Sequence, residues 1–121
     1  MANPICHWEL MVHDVAKAKK FYGSVFGWKF DDARYPGYTT IDTGGGVGGG
    51  LMLKPVHSPM AALNTYFQVD DVDKTLRAVV ETGGTVIVPK TEISNVGWFA
   101  MFLDPDRIAV GILQPIDAHA P

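Results

Sequence analysis

The feature that most constrains this chain is that it repeats itself. His7-Trp8-Glu9-Leu10-Met11-Val12-His13-Asp14-Val15 lies over Asn64-Thr65-Tyr66-Phe67-Gln68-Val69-Asp70-Asp71-Val72 at an offset of 57 residues. Each segment reads as a strand that runs into Asp-Val and then into a helix. Identity is slight, confined to Val12/Val69, Asp14/Asp71, Val15/Val72, Lys17/Lys74 and Gly27/Gly84, yet pattern and spacing agree along the whole helix. A chain of 121 residues built this way reads as one domain (1–121) made of two packed halves. At that length about two-thirds of the unfolded surface is buried on folding, enough for a core without staples.

The helices follow from their residues. Asp14 and Asp71 are N-cap candidates, because a carboxylate oxygen accepts from the orphan N–H groups of a first turn. After Asp14, an apolar stripe of Val15, Ala18, Phe21, Tyr22, Val25 and Phe26 is expected to face the core, with Lys17, Lys20 and Ser24 in water. Gly27 supplies a left-handed C-cap. After Asp71 the stripe is Val72, Leu76, Val79 and Val80, the wet face Asp73, Lys74, Arg77 and Glu81, and Gly83-Gly84 the stop.

The remaining runs read as strands: residues 28–30, 38–43, 51–54, 85–88, 98–103 and 108–114, β-branched or aromatic and bounded by Gly, Pro and Asp. Asp104-Pro105-Asp106 is a turn between the last two. Each half is therefore strand, helix, three strands, over about residues 4–56 and 61–115. Residues 57–59 form the joint and 116–121 a short tail.

Composition narrows the function classes. With 47% hydrophobic and 19% charged residues, 13 Gly and 8 Pro, the chain is ordinary globular protein, not disordered, collagenous or coiled-coil. A net charge of -3 and the lack of a Lys/Arg stripe remove the usual footprint of nucleic-acid binding. Cys6 is alone, which excludes an internal disulfide scaffold and a Cys-based zinc knuckle. No apolar run approaches 18 residues and no secretory leader pattern opens the sequence, so a cytoplasmic location without membrane attachment is expected. The run Gly44-Gly45-Gly46-Val47-Gly48-Gly49-Gly50 lacks the Gly-Lys-Ser/Thr ending of a phosphate loop and no helix follows it. It reads as a mobile hairpin connection, or else as a lid or a close backbone approach to a ligand.

The paired strand-helix-three-strand plan, the Asp-Val helix starts, KKFYGSVFGW (residues 19–28) and LDPD (residues 103–106) together resemble the vicinal oxygen chelate superfamily, which holds the glyoxalases, bleomycin-resistance proteins and extradiol dioxygenases. The resemblance covers about residues 4–115. It implies an α+β fold, two βαβββ modules in tandem forming a curled mixed sheet around a cup-shaped cavity that holds the ligand, and a homodimer. Metal-dependent members place a ligand on the first and last strand of each module. Carried onto this chain, those positions are His7, Leu51, Asn64 and Gly111, of which one is a good donor. A catalytic divalent ion needs about three protein ligands, and residues 108–114 contain no Asp, Glu or His. No metal and no other cofactor is therefore expected; a divalent metal remains the alternative.

Alternation supplies the rest of the cavity. If His7 faces the cup, so do Glu9 and Met11, and in the second half Asn64, Tyr66 and Gln68. Either Trp98, Ala100 and Phe102 or Phe99, Met101 and Leu103 line another wall; Trp98 is taken as a ligand contact. A carboxylate in a partly apolar cup should have a raised pKa unless a cation or hydroxyl answers it, and His7 or Tyr66 is the candidate to answer Glu9. Glu9 then acts as general acid or base with His7 and Tyr66 orienting it, or is a satisfied structural carboxylate. Cys6 faces the other side of the strand, and His13, His57 and His119 read as solvated. Three functions follow: a protein binding a small organic molecule in a metal-free cavity, a metal-free enzyme using Glu9 for proton transfer, or a divalent-metal-dependent glyoxalase-type lyase or isomerase.

Overall fold

A computed structural model describes residues 2–58 and 62–116. The elements run β1 (Ile5–Val12), α1 (Val15–Phe26), β2 (Lys29–Tyr35), β3 (Tyr38–Asp42), β4 (Gly49–Leu53), β5 (Leu63–Gln68), α2 (Val72–Glu81), β6 (Thr85–Ile93), β7 (Gly97–Leu103) and β8 (Ala109–Pro115). This is the α+β plan expected, strand-helix-three-strand twice. The chain forms two compact units, His7–Asn64 and Met1–Cys6 with Thr65–Pro121.

In the first unit the strand order is β2-β3-β4-β1, with β1 and β4 parallel and the other pairs antiparallel. In the second it is β6-β7-β8-β5, with β5 and β8 parallel and the rest antiparallel. The pairing scheme is thus repeated strand for strand. A parallel pair needs a crossover, and in each module the helix and two strands supply it.

The two N-caps are the same device used twice. Asp14 sits at φ -146, ψ 101 and accepts from Lys17 N at 3.0 Å. Asp71 sits at φ -152, ψ 107 and accepts from Lys74 N at 3.0 Å, which holds its carboxyl below the usual carboxylate range. Gly27 closes α1 in the left-handed region, φ 71, with its N–H on Gly23 O. The stop of α2 falls earlier than expected, at Thr82, whose N–H returns to the last helical carbonyls.

The helices differ in how they bury their stripes. In α2, Val72 is 0% exposed and its N–H donates to Gln114 Oε1 of β8, seating the helix start on the sheet. Val69, Val72, Ala100 and Ile112 form the core there, with Leu76, Trp98 and Phe102 against it. In α1 no residue is buried, and Phe21, Val25 and Phe26 are more than half exposed, against the expectation that they face the core. The reason is angular. Val15, Ala18 and Tyr22 take the inner face, and Phe21 and Val25 form a second stripe turned outward. Tyr22, Phe26, Trp28 and Trp8 form an aromatic cluster instead, Tyr22 stacked on Phe26 and Trp28 and the other pairs tilted, with ring centroids 5.1–6.2 Å apart.

Candidate functional site

β1 carries the polar residues that sequence reasoning singled out, and alternation puts His7, Glu9 and Met11 on one face. Glu9 is 7% exposed and Met11 4%, so a carboxylate is buried beside an apolar neighbour. Such a group needs strong hydrogen-bond partners. Register supplies one. Glu9 stands opposite Gly50 on β4, and Gly50 opposite Thr40 on β3. Tyr38, two residues before Thr40, therefore shares the face of Glu9, and its phenol crosses the space above Gly50. The Tyr38 hydroxyl donates to Glu9 Oε2 at 2.7 Å, and His7 Nε2 lies 2.8 Å from the same phenol oxygen. A phenol has one proton. With that proton on the carboxylate, its oxygen accepts from His7, which sets the imidazole as the Nε2–H tautomer. Burial pushes the His7 pKa below its ordinary 6.5, so the ring is neutral at pH 7.

The result is a hydrogen-bonded row, His7–Tyr38–Glu9, from a neutral base through a hydroxyl to a carboxylate. Groups so linked can pass a proton along the row or hold one end while a ligand binds the other. Sequence reasoning did not single out Tyr38, the residue whose hydroxyl meets Glu9 Oε2. Tyr38 escaped notice because its strand is short and its role depends on the missing side chain of Gly50. The available signal was a glycine inside a strand, which marks a close approach.

The second module has its own buried row. Asn64 is 1% and Tyr66 6% exposed, and Gln68 is half-buried. Tyr66 stands opposite Gly111, and Gly111 opposite Met101. Its hydroxyl lies 3.9 Å from Met101 Sδ, and its ring meets Phe99 edge to face at 6.4 Å. Phe99 and Met101, rather than Trp98, are thus the β7 residues beside Tyr66. Trp98 packs against the core under α2, on the face of β7 opposite Phe99 and Met101, with Lys90 Nζ 5.5 Å from its ring centroid. Cys6 Sγ donates to Tyr66 O at 3.6 Å, and burial pushes the thiol up, which disfavours a nucleophilic thiolate. His13 and His57 are exposed; His119 lies outside the described residues.

The metal positions drawn from the resemblance shift in register. Leu51 pairs with Leu10 and so faces away from Glu9; Gly50 and Met52 are the β4 residues on the Glu9 face. Neither offers an oxygen or nitrogen side-chain donor. Among the described residues no three His, Cys, Asp or Glu side chains come together to hold a metal ion. His7 Nε2 and Glu9 Oε2 are both engaged with the Tyr38 hydroxyl. This donor set does not fit a divalent cation.

Two cavities lie within single units. One, of about 410 Å³, runs between α1 and the β2–β3–β4 ladder, lined among others by Lys19, Asp32, Tyr38, Thr39 and Leu51. Lys19 pairs with Asp32 at 2.6 Å and Thr39 donates to the same carboxylate, which together hold its pKa down. The other, about 530 Å³, lies over α2 beside Leu76, Arg77, Val80 and Val86, apart from the buried polar rows. No described helix is long and apolar enough to cross a membrane.

The chain is 36% identical over 113 residues to the protein named "Putative glyoxylase CFP32" of Mycobacterium bovis, covering 88% of this chain and 43% of that one. It is 32% identical over 116 residues to anthracycline biosynthesis protein DnrV of Streptomyces peucetius, covering 82% and 42%. The chain therefore spans under half the length of these curated relatives. Among solved structures, a glyoxalase/bleomycin resistance protein/dioxygenase superfamily member from Vibrio splendidus matches with a TM-score of 0.65 at 16% identity, covering 93% of this chain and 99% of that one. Methylmalonyl-CoA epimerase from Mycobacterium tuberculosis matches with a TM-score of 0.67 at 14% identity, covering 93% and 87%; both likenesses are of fold. The family model matching residues 5–112 agrees with the doubled βαβββ plan, and the chain belongs to the Glyoxalase/Bleomycin resistance protein/Dioxygenase superfamily.

Proposed function

We propose that this chain binds a small organic molecule bearing a carbonyl or hydroxyl group on the face formed by His7, Glu9, Met11 and Tyr38, without a metal ion. One observation carries the reading: a buried carboxylate joined to a neutral imidazole through a single phenol hydroxyl, beside apolar Met11. Such a face offers burial to carbon and a few fixed polar groups to oxygen. In the second module, Asn64, Tyr66 and Gln68 are proposed, by themselves, as residues that contact a ligand. The names of the relatives suit a carbonyl ligand. One carries the name glyoxylase, and a fold neighbour was solved with methylmalonyl-CoA, a thioester.

A second reading is favoured by the same row. Glu9 takes or returns a proton of the bound molecule while Tyr38 and His7 hold its charge, giving a metal-free lyase or isomerase. We further read the chain as one domain, working in the cytoplasm, where a lone cysteine stays reduced. We read it also as a homodimer, with the outward stripe of α1, Phe21, Val25 and Phe26, as surface for a second copy to cover.

A thermal-shift screen with 2-oxo acids, 2-oxoaldehydes and acyl-CoA thioesters tests the binding. At least one class should raise the melting temperature saturably, and if none does the reading fails. Glu9→Gln then separates the two forms. Binding alone should survive the change, whereas hydrogen–deuterium exchange at the ligand's acidic carbon should fall by about a hundredfold or more.

A further inference from the structure

Gly50 is buried within β4, and its backbone is ordinary strand, outside the left-handed region where glycine is demanded by conformation. A glycine there weakens a strand, having no side chain to pack and more freedom to lose. What stands in the space is the Tyr38 phenol: a Cβ built on Gly50 would fall on the hydroxyl oxygen, Cζ and Cε2 of that ring. The atoms displaced are the ones that reach Glu9 Oε2 and His7 Nε2. Backbone holds the seat on both sides, because Gly50 pairs with Glu9 on β1 and Thr40 on β3. The ring therefore has to move, since the strands are fixed by their ladders.

We propose that Gly50 is a positioning residue of the candidate site: its missing side chain is the seat of the Tyr38 ring, and any larger residue there takes the phenol hydroxyl from between His7 and Glu9. The inference deepens the proposed function, resting on it only for what the row is used for. It also gives the glycine run a division of labour. Gly44 and Gly46, with positive φ, make the turn; Gly50 belongs to the site. The second module shows the same construction, since a Cβ on Gly111 would strike the Tyr66 ring at 2.5 Å. There the phenol hydroxyl lies 3.9 Å from Met101 Sδ.

The test needs no ligand. Nitrogen-15 spectra of histidine-labelled protein at neutral pH should record His7 as a single Nε2–H tautomer in the wild type. Gly50→Ala should convert it to the signature given by Tyr38→Phe, with a melting temperature several degrees lower. In a Tyr38→Ala background, where nothing stands over residue 50, adding Gly50→Ala should leave the His7 signature unchanged and the melting temperature no lower. The proposal is overturned if Gly50→Ala keeps the wild-type tautomer, or if it costs as much in the Tyr38→Ala background. Should Gly50→Ala alone fail to fold, the double variant decides: folding of the double variant upholds the ring clash, and its failure refutes it. A ligand screen that finds nothing, with this cycle intact, would remove the function and leave the geometry.

Discussion

Replacing Tyr38 with Phe deletes one oxygen and leaves the ring on its seat over Gly50, so its effect can be worked from the structure. The oxygen donates to Glu9 Oε2 at 2.7 Å and faces His7 Nε2 at 2.8 Å. Glu9 is 7% exposed, so water replaces the lost donor poorly. A hydrogen bond to a charged group contributes about 1.5–3 kcal/mol, and leaving its buried partner short of a donor costs a similar amount. We therefore expect a loss of about 2–3 kcal/mol at pH 7. For a domain of this length each kcal/mol moves the melting temperature by about 4 °C, giving a fall of about 8–12 °C. Urea unfolding followed by tryptophan fluorescence measures it, with an unchanged slope showing that the compactness of the end states is kept. A loss below about 0.5 kcal/mol, the range of an ordinary surface change, would refute the claim that this hydroxyl sustains the buried carboxylate.

Other outcomes follow from named groups. His7 binds a proton less readily folded than unfolded, because burial holds its pKa below 6.5; the unfolded chain then takes up more protons, so this contribution is full above pH 6.5 and lost as pH falls below it, levelling off beneath the folded value. Urea titrations at closely spaced pH values should show that fall, and His7→Gln should flatten it; an unflattened profile would assign the titration elsewhere. Asp14→Ala and Asp71→Ala each remove one N-cap of matching geometry, and each should cost about 1 kcal/mol; two widely unequal losses in thermal unfolding would argue against the equivalence of the caps. Phe21→Glu alters a side chain 57% exposed, so the monomer should lose no more than about 0.5 kcal/mol. Light scattering should nevertheless report a halved mass if a second copy covers α1, and an unchanged dimer would exclude that face.

Most of the fold was legible because it rests on local signals repeated at a fixed offset. Asp14 and Asp71 cap as expected, Gly27 ends α1, and the strand runs are found where β-branched and aromatic residues gather. What escaped depended on angle and register. An apolar stripe reads the same whether Phe21 faces the sheet or water, since the two orientations differ by a fraction of a helical turn. Leu51 and Gly50 differ by one residue, and one residue in a strand reverses the face. Trp98 was a choice between two alternating sets that periodicity cannot decide. At the candidate site His7, Glu9 and Met11 could be read from β1 alone. Tyr38 could not, because its meeting with Glu9 requires three strands in register and an empty position between them.

The second compact unit is assembled from pieces far apart along the chain. Pro4 O accepts from Gln68 N at 2.8 Å, and Asn3 Nδ2 donates to Gln68 O at 3.0 Å, across 65 residues of sequence in the latter case. Closing a loop of that size costs roughly (3/2)RT ln n, about 4 kcal/mol before any contact repays it. The unit His7–Asn64 is contiguous, and its β1–β4 pairing, Trp8 with Gly49, closes a shorter loop at a slightly smaller cost. Assembly should therefore begin inside the loop, with the amino-terminal residues joining Gln68 late, so that losing the Asn3 amide speeds opening of the carboxy-terminal half more than it slows its formation, while sparing the module beside it in sequence.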